Sequence, residues 1–177
     1  MKSVTFLASI LVSVALLIGC IDRTEQPLIQ VQKDLEQMFG TAMLNGDITM
    51  QRAHDHLTVV IIERLLFDTG SHEIKPNGIE ALKRMGVLFK MASFKNIRVG
   101  GHADKASVSN RSGEYFEKLA LSKARATQTV RVLKENGVES QSLIIEWYGD
   151  IRPIASDETE AGWQMNRRIE ILLYAGI

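Results

Sequence analysis

The chain has 177 residues, enough for one domain with a short extension. Hydrophobic residues make up 45% and charged residues 24%, an ordinary globular balance. Twenty-one basic residues offset 21 acidic ones, which removes the electrostatic case for a nucleic-acid binder, and a single cysteine excludes an internal disulfide.

Lys2 gives the chain a positive start, and residues 4–18 form an apolar run interrupted by Thr5, Ser9 and Ser13. At about 1.5 Å per residue this run is short for a bilayer span. It ends in Leu17-Ile18-Gly19-Cys20, which resembles the bacterial lipobox, where a signal peptide is cut off before a lipidated cysteine. Residues 1–19 are therefore expected to be a lipoprotein signal peptide, with Cys20 as the lipidation site; the alternative is an uncleaved anchor with an incidental cysteine. Several acyl chains, palmitate among them, on one residue make a stable membrane anchor. Ile21 stands where an Asp would resemble an inner-membrane retention signal, so the expected location is the periplasmic face of the outer membrane.

Residues 20–57 read as a lipidated N-terminus, a linker and a short helical extension. Leu28, Val31, Leu35, Met38 and Phe39 recur at helical spacing after Pro27, Asn45-Gly46-Asp47 reads as a turn, and a second short helical piece is expected from Thr49. His54 and His56 flank Asp55. Without further ligand spacing these histidines read as surface residues rather than a metal site.

A nearly unbroken apolar run then predicts a strand over residues 58–67, followed by a turn at Asp68-Thr69-Gly70-Ser71. Pro76 opens a helix reaching about Ala92, with Ile79, Leu82, Met85, Leu88 and Phe89 as its buried stripe. Residues 96–101 form a second strand that ends in Gly100-Gly101, so His102 and Asp104 lie just past a strand end. No serine elbow and no second metal ligand accompanies His102, which reads as a structural imidazole.

Residues 105–120 read as a polar loop with room for one helical turn from Gly113. Ser122 is the expected N-cap of a helix over residues 122–136, closed by Gly137. That assignment puts Arg125 in a first turn, where unpaired N–H groups and the positive end of the helix dipole disfavour a cation. Arg125 is thus either a solvated side chain or part of a site that collects a carboxylate. Strands are expected over residues 143–148 and 167–174, the latter with Ile169, Ile171 and Leu173 on one face.

Five pieces occur together and in order: LLFDTGSHEIKPNG at 65–78, GHAD at 101–104, LSKARA at 121–126, YGDIRPI at 148–154 and NRRIEI at 166–171. RVLKENGV at 131–138 and ASDETEAGWQMNRR at 155–168 add to them. This order resembles the OmpA-like C-terminal domain, the peptidoglycan-binding module of OmpA, Pal lipoproteins and the flagellar stator protein MotB. The resemblance covers roughly residues 58–174, and residues 58–177 are expected to form that domain. Two positions depart from the family pattern: Ala103 stands where a Thr is usual, and Lys118 where an Asn is usual. The 105–120 loop is nearer in length to the stator proteins than to Pal.

The resemblance implies an α/β fold: a two-layer sandwich, βαβαββ, with a mixed four-stranded sheet and helices on one face. It implies no catalysis, no cofactor and no metal. The implied ligand is the diaminopimelate of the peptidoglycan stem peptide, with Asp104 accepting its ammonium, Arg125 and first-turn amides holding its carboxylate, and Arg167 contacting the ligand or bracing Asp104. Expected partners are therefore peptidoglycan, a membrane through the lipid on Cys20, and an envelope protein through residues 28–57. The first functional expectation is an outer-membrane lipoprotein that ties membrane to wall. The alternative is an accessory peptidoglycan-anchoring component of an envelope machine such as a flagellar motor or secretion system. Residues 1–19 hold no acid, so an ion-conducting subunit is not expected.

Overall fold

The computed structural model describes residues 25–105 and 114–176; the expected signal peptide, Cys20 and part of the 105–120 loop lie outside them. Helix α1 (Glu25–Leu44) leads into strand β1 (Ile48–Arg52), strand β2 (His56–Ile62) and a single helical turn, α2 (Glu63–Leu66). Helix α3 (Pro76–Ala92), strand β3 (Asn96–Gly101) and helix α4 (Glu114–Glu135) follow. Strand β4 (Leu143–Trp147), helix α5 (Glu160–Asn166) and strand β5 (Arg168–Tyr174) complete the chain.

The sheet has the order β1-β2-β5-β3-β4, with β3 and β4 parallel and the other pairs antiparallel. It is mixed, as the resemblance implied, but has five strands rather than four. The added strand is β1, in the stretch from Thr49 where a helical piece was expected. Gly46 takes φ +72° in the Asn45-Gly46-Asp47 turn and reverses the chain, so Ile48 and Met50 pair with Ile61 and Val59 on the core face. A five-residue run with one β-branched residue beyond Ile48 gives little period-2 signal, and pairing to β2 decides its state.

One face of the sheet carries the core. Leu57, Val59 and Ile61 of β2, Ile97 and Val99 of β3, and Ile169, Ile171 and Leu173 of β5 are all 0–1% exposed. Three helices cover them: α1 with Leu28, Val31, Leu35 and Phe39, α3 with Leu82, Met85 and Phe89, and α4 with Ala126 and Leu133. The apolar stripe of α1, expected in a short piece outside the sandwich, is thus part of its core. Leu28, Val31, Leu35, Phe39, Ile48 and Leu57 of the stretch expected to bind a partner are buried by the chain itself, and most of its other side chains are exposed or half-buried.

Two further boundaries differ from expectation. The 58–67 run is not one strand: β2 stops at Ile62, α2 takes Glu63 to Leu66, and Phe67 bridges Ile74. Period alone does not separate a buried strand from a buried helical turn in so short an apolar run. Helix α4 begins at Glu114, so Ser122 is not its N-cap. Ser122 sits mid-helix, fully buried, with its hydroxyl bonded back to the Leu119 carbonyl at 2.9 Å. The buried stripe of α4 runs Lys118, Ser122, Arg125, Ala126, Thr129, Val132, Leu133. Four of those seven residues are polar, which hid its first half from a search for apolar periodicity.

Candidate functional site

The ends of β2 and β3 and the start of β5 meet at one edge of the sandwich. The backbone is stitched there by Glu63 N–H to the Arg167 carbonyl (2.8 Å), His102 N–H to the Arg168 carbonyl (3.0 Å) and Ala103 N–H to the Gly149 carbonyl (2.8 Å). Helix α4 lies against the end of β3. An added Cβ on Gly101 would fall 2.0 Å from the Ser122 carbonyl oxygen, so only glycine permits this approach. The close approach brings Arg125, one turn further along α4, beside the loop that carries Asp104.

Asp104 is fully buried and Arg125 is 2% exposed. They are joined through two other side chains. Arg167 donates from one terminal nitrogen to Asp104 Oδ2 (2.7 Å) and from Nε to Glu63 Oε2 (2.6 Å). Glu63 in turn accepts from the Arg125 guanidinium through its other oxygen. Arg125 Nε donates to the Ser71 carbonyl at 2.8 Å, and its guanidinium lies 5.2 Å from the centre of the Phe67 ring. The result is an alternating string Asp104–Arg167–Glu63–Arg125, two anions and two cations, closed into one network.

Burial pushes the Asp104 carboxyl up, against the opposing pull of Arg167. Burial likewise lowers the Arg125 guanidinium, which Glu63 supports in its charged form. A guanidinium remains protonated under either influence. Glu63 and Arg167 also line a cleft of about 450 Å³ with Phe67, Asp68, Thr69 and Glu160 on its walls. Glu63 and Arg167 therefore belong both to the cleft and to the string that holds Asp104 and Arg125.

The structure brings Asp104, Arg125 and Arg167 together, as the sequence suggested. It corrects one part of that expectation. Arg125 is not in a first turn, so the free amides of a helix N-terminus are not beside it. Glu63 was missed. Its signal was available: it is the first charge to break the apolar run that begins at Val59.

Two supporting elements explain the local order. Thr159 caps α5 by accepting from Gly162 N–H, and Asn166 at its end accepts from Ile154 N–H (2.8 Å) and Ala155 N–H (3.0 Å). Asn166 thereby fixes the loop before α5, Arg167 turns to the site, and Arg168 pairs with Glu170 on the sheet (2.7 Å). Lys118, in place of the family's usual Asn, is 3% exposed; its ammonium donates to the Lys105 carbonyl (2.8 Å) and to Asp150 (3.0 Å). The cation therefore clasps the loop after Asp104 to the loop after β4. His102 is buried, stacked on Tyr148 at 4.9 Å between ring centres, and lies 3.5 Å from Glu170. His54 contacts Glu25 and His56 contacts Asp55. Among the described residues no group of three or more His, Cys, Asp or Glu side chains is placed to hold a metal ion.

Comparison with known proteins bears on the family and the fold. The OmpA family matches residues 66–167. Motility protein B of Bacillus subtilis is 25% identical over 150 residues, covering 84% of this chain and 57% of that protein. The probable lipoprotein YiaD of Escherichia coli is 27% identical, covering 82% and 61%. The chain thus spans less than two thirds of the length of these two relatives. The peptidoglycan-associated lipoprotein of Brucella melitensis is 27% identical and is matched over 80% of this chain and 81% of its own. Among solved structures, the cell wall anchor of the T6SS from Pseudomonas aeruginosa superposes with a TM-score of 0.70 at 22% identity, over 80% of this chain and 97% of that one, a likeness of fold. Matched over residues 66–167, more than half of its length, the chain belongs to the OmpA family, whose domains are non-catalytic binders of peptidoglycan.

Proposed function

We propose that the protein is an outer-membrane lipoprotein, held on the periplasmic face by lipid on Cys20, that binds peptidoglycan without a covalent bond and ties membrane to wall. The ligand group is the diaminopimelate of the stem peptide. The observation that carries this reading is the buried string Asp104–Arg167–Glu63–Arg125, with a carboxylate at one end and a guanidinium at the other. Diaminopimelate ends in an ammonium and a carboxylate on one carbon, and such a zwitterion needs an anion and a forked cation close together. Asp104 accepts the ammonium. Arg125 offers the N–H groups of its fork that Ser71 and Glu63 do not take, and each charge-assisted bond contributes about 1.5–3 kcal/mol. Arg167 holds the Asp104 carboxylate in place. Glu63 balances both guanidiniums before ligand arrives, which offsets the cost of burying them.

The test is calorimetric titration of the Cys20→Ser chain with muropeptides that carry diaminopimelate and with muropeptides that carry lysine in its place. Lysine lacks the second carboxylate, so binding of the first set alone supports the reading, and equal or absent binding overturns it.

A second reading, an accessory wall-anchoring component of an envelope machine, draws on the likeness to Motility protein B and to the T6SS cell wall anchor. Leu28, Val31, Leu35 and Phe39 are buried in the chain's own core, so a partner contact through residues 28–57 would fall on their exposed side chains. Co-purification of a stable envelope partner at native expression supports this reading; its absence leaves the lipoprotein tether alone.

A further inference from the structure

The two ends of the sheet differ. Glu63, Asp104 and Arg167 gather at one. At the other, Glu25, the first residue of α1, meets His54 at 2.8 Å, and the His56 and Tyr174 rings lie 5.2 Å apart. The seven residues of β2 run from His56 at this second end to Ile62 at the first, a separation of roughly 20 Å at about 3.3 Å per residue. Helix α1 starts at the second end and α3 finishes there. Between them lies an apolar groove of about 230 Å³ lined by Pro27, Val31, Leu88 and Met91, with Asp34 on its rim bonded by Gln30. Val87 and Met91, one turn apart on α3, are 52% and 78% exposed.

Single exposed apolar side chains are ordinary on a protein surface. Their position here is not arbitrary. Glu25 follows Cys20 by five residues, and five residues reach at most about 18 Å. A lipid on Cys20 therefore keeps this end of the sandwich within that distance of the bilayer.

We infer that the end bearing Pro27, Val87 and Met91 rests on the lipid surface, so that the peptidoglycan site faces away from the membrane. The inference rests on the lipidation proposed for Cys20. Val87 and Met91 enter the boundary between headgroups and acyl chains, and the exposed Lys90 and Lys95 at the same end meet anionic headgroups while their stems lie along the apolar layer. Glu25 and Asp34, the nearby acids on α1, are already bonded to His54 and Gln30. The wall site then stands at least the length of β2, about 20 Å, from the bilayer surface, and the extended tether limits the distance to about 40 Å.

The experiment uses the full lipidated chain in vesicles of phosphatidylethanolamine and phosphatidylglycerol. Acylation blocks the Cys20 sulfur, so Met91→Cys and Glu160→Cys each present one reactive thiol for an environment-sensitive fluorophore. Both positions are exposed. The inference predicts that the label at 91 loses about half its emission to lipids quenching at headgroup depth, whereas the label at 160 keeps its emission. Equal response at the two positions overturns it. So does shielding of position 91 that grows with concentration in the soluble Cys20→Ser chain, which would assign the face to a second copy. A chain that never joins the vesicle fraction removes the lipidation reading and this inference with it, and leaves peptidoglycan binding by the soluble form to be judged separately.

Discussion

Glu63 and Arg125, 62 residues apart in the chain, meet as a buried ion pair, the acid 5% and the guanidinium 2% exposed. Neither is tolerable inside the protein alone. Glu63 takes Arg125 on one oxygen and Arg167 on the other, so a single carboxylate neutralises two guanidiniums.

Replacing Glu63 by Ala leaves those two cations without their shared counter-ion. Breaking a buried pair from one side costs about 3–5 kcal/mol, far more than the pair's net contribution. Urea unfolding of Glu63→Ala is therefore expected to show an unfolding free energy lower by that amount, read as an earlier midpoint, with Glu63→Gln intermediate. An unchanged midpoint would mean that the string is not closed in solution.

Leu35 on α1 is 1% exposed. If α1 belongs to the core, Leu35→Ala destabilises the whole domain by about 2–5 kcal/mol in a single transition. A separate, earlier transition would show that α1 docks loosely on an independent sandwich.

Gly101 has the closest constraint near the site. Gly101→Ala drives a methyl group toward the Ser122 carbonyl, which would lie 2.0 Å away. Separating α4 from β3 to relieve it is expected to cost about 1–3 kcal/mol. It also moves Arg125 away from the Asp104 loop, so peptidoglycan affinity falls further than stability does. Parallel measurement of melting temperature and binding checks the difference.

Acid affects the fold and the site separately. Burial alone would raise the Glu170 carboxyl; contacts with His102 and Arg168 outweigh it and bring it down to about 2. Above 4.5, its ordinary value, Glu170 contributes its full share of stability, and that share is lost as pH falls toward 2. Burial lowers His102 below its ordinary 6.5, so the unfolded chain takes up the proton first and stability already declines as pH falls through that value. Unfolding free energy should thus fall from neutral pH downward, less steeply in Glu170→Gln. Ligand affinity should fall at a higher pH than an ordinary aspartate would dictate, because burial raises Asp104 above 3.8.

Much of this was legible in the sequence. Pro76 to Ala92, Asn96 to Gly101 and the alternating last strand have clear periodicity or clear stop signals, and the structure places them within a residue of expectation. Asp104, Arg125 and Arg167 were identified because motifs carry them. What escaped shares one physical cause: charge buried by tertiary pairing. Lys118 and Arg125 lie on the inner stripe of α4, where a search for apolar periodicity sees a polar loop. Glu63 interrupts an apolar run, and a pairing partner far along the chain settles whether it lies in a strand or a helical turn. The strand β1 escaped for a related reason, since its register is set by β2 rather than by its own residues.

The most direct test of the account is co-sedimentation of the Cys20→Ser chain with diaminopimelate-containing sacculi, beside Asp104→Asn and Arg125→Lys. Both variants keep the volume of the native side chain, and Arg125→Lys keeps its charge while losing the fork. The account predicts wild type in the pellet and both folded variants in the supernatant. Wild type in the supernatant, or either variant in the pellet at wild-type level, would contradict a wall anchor that works through Asp104 and Arg125.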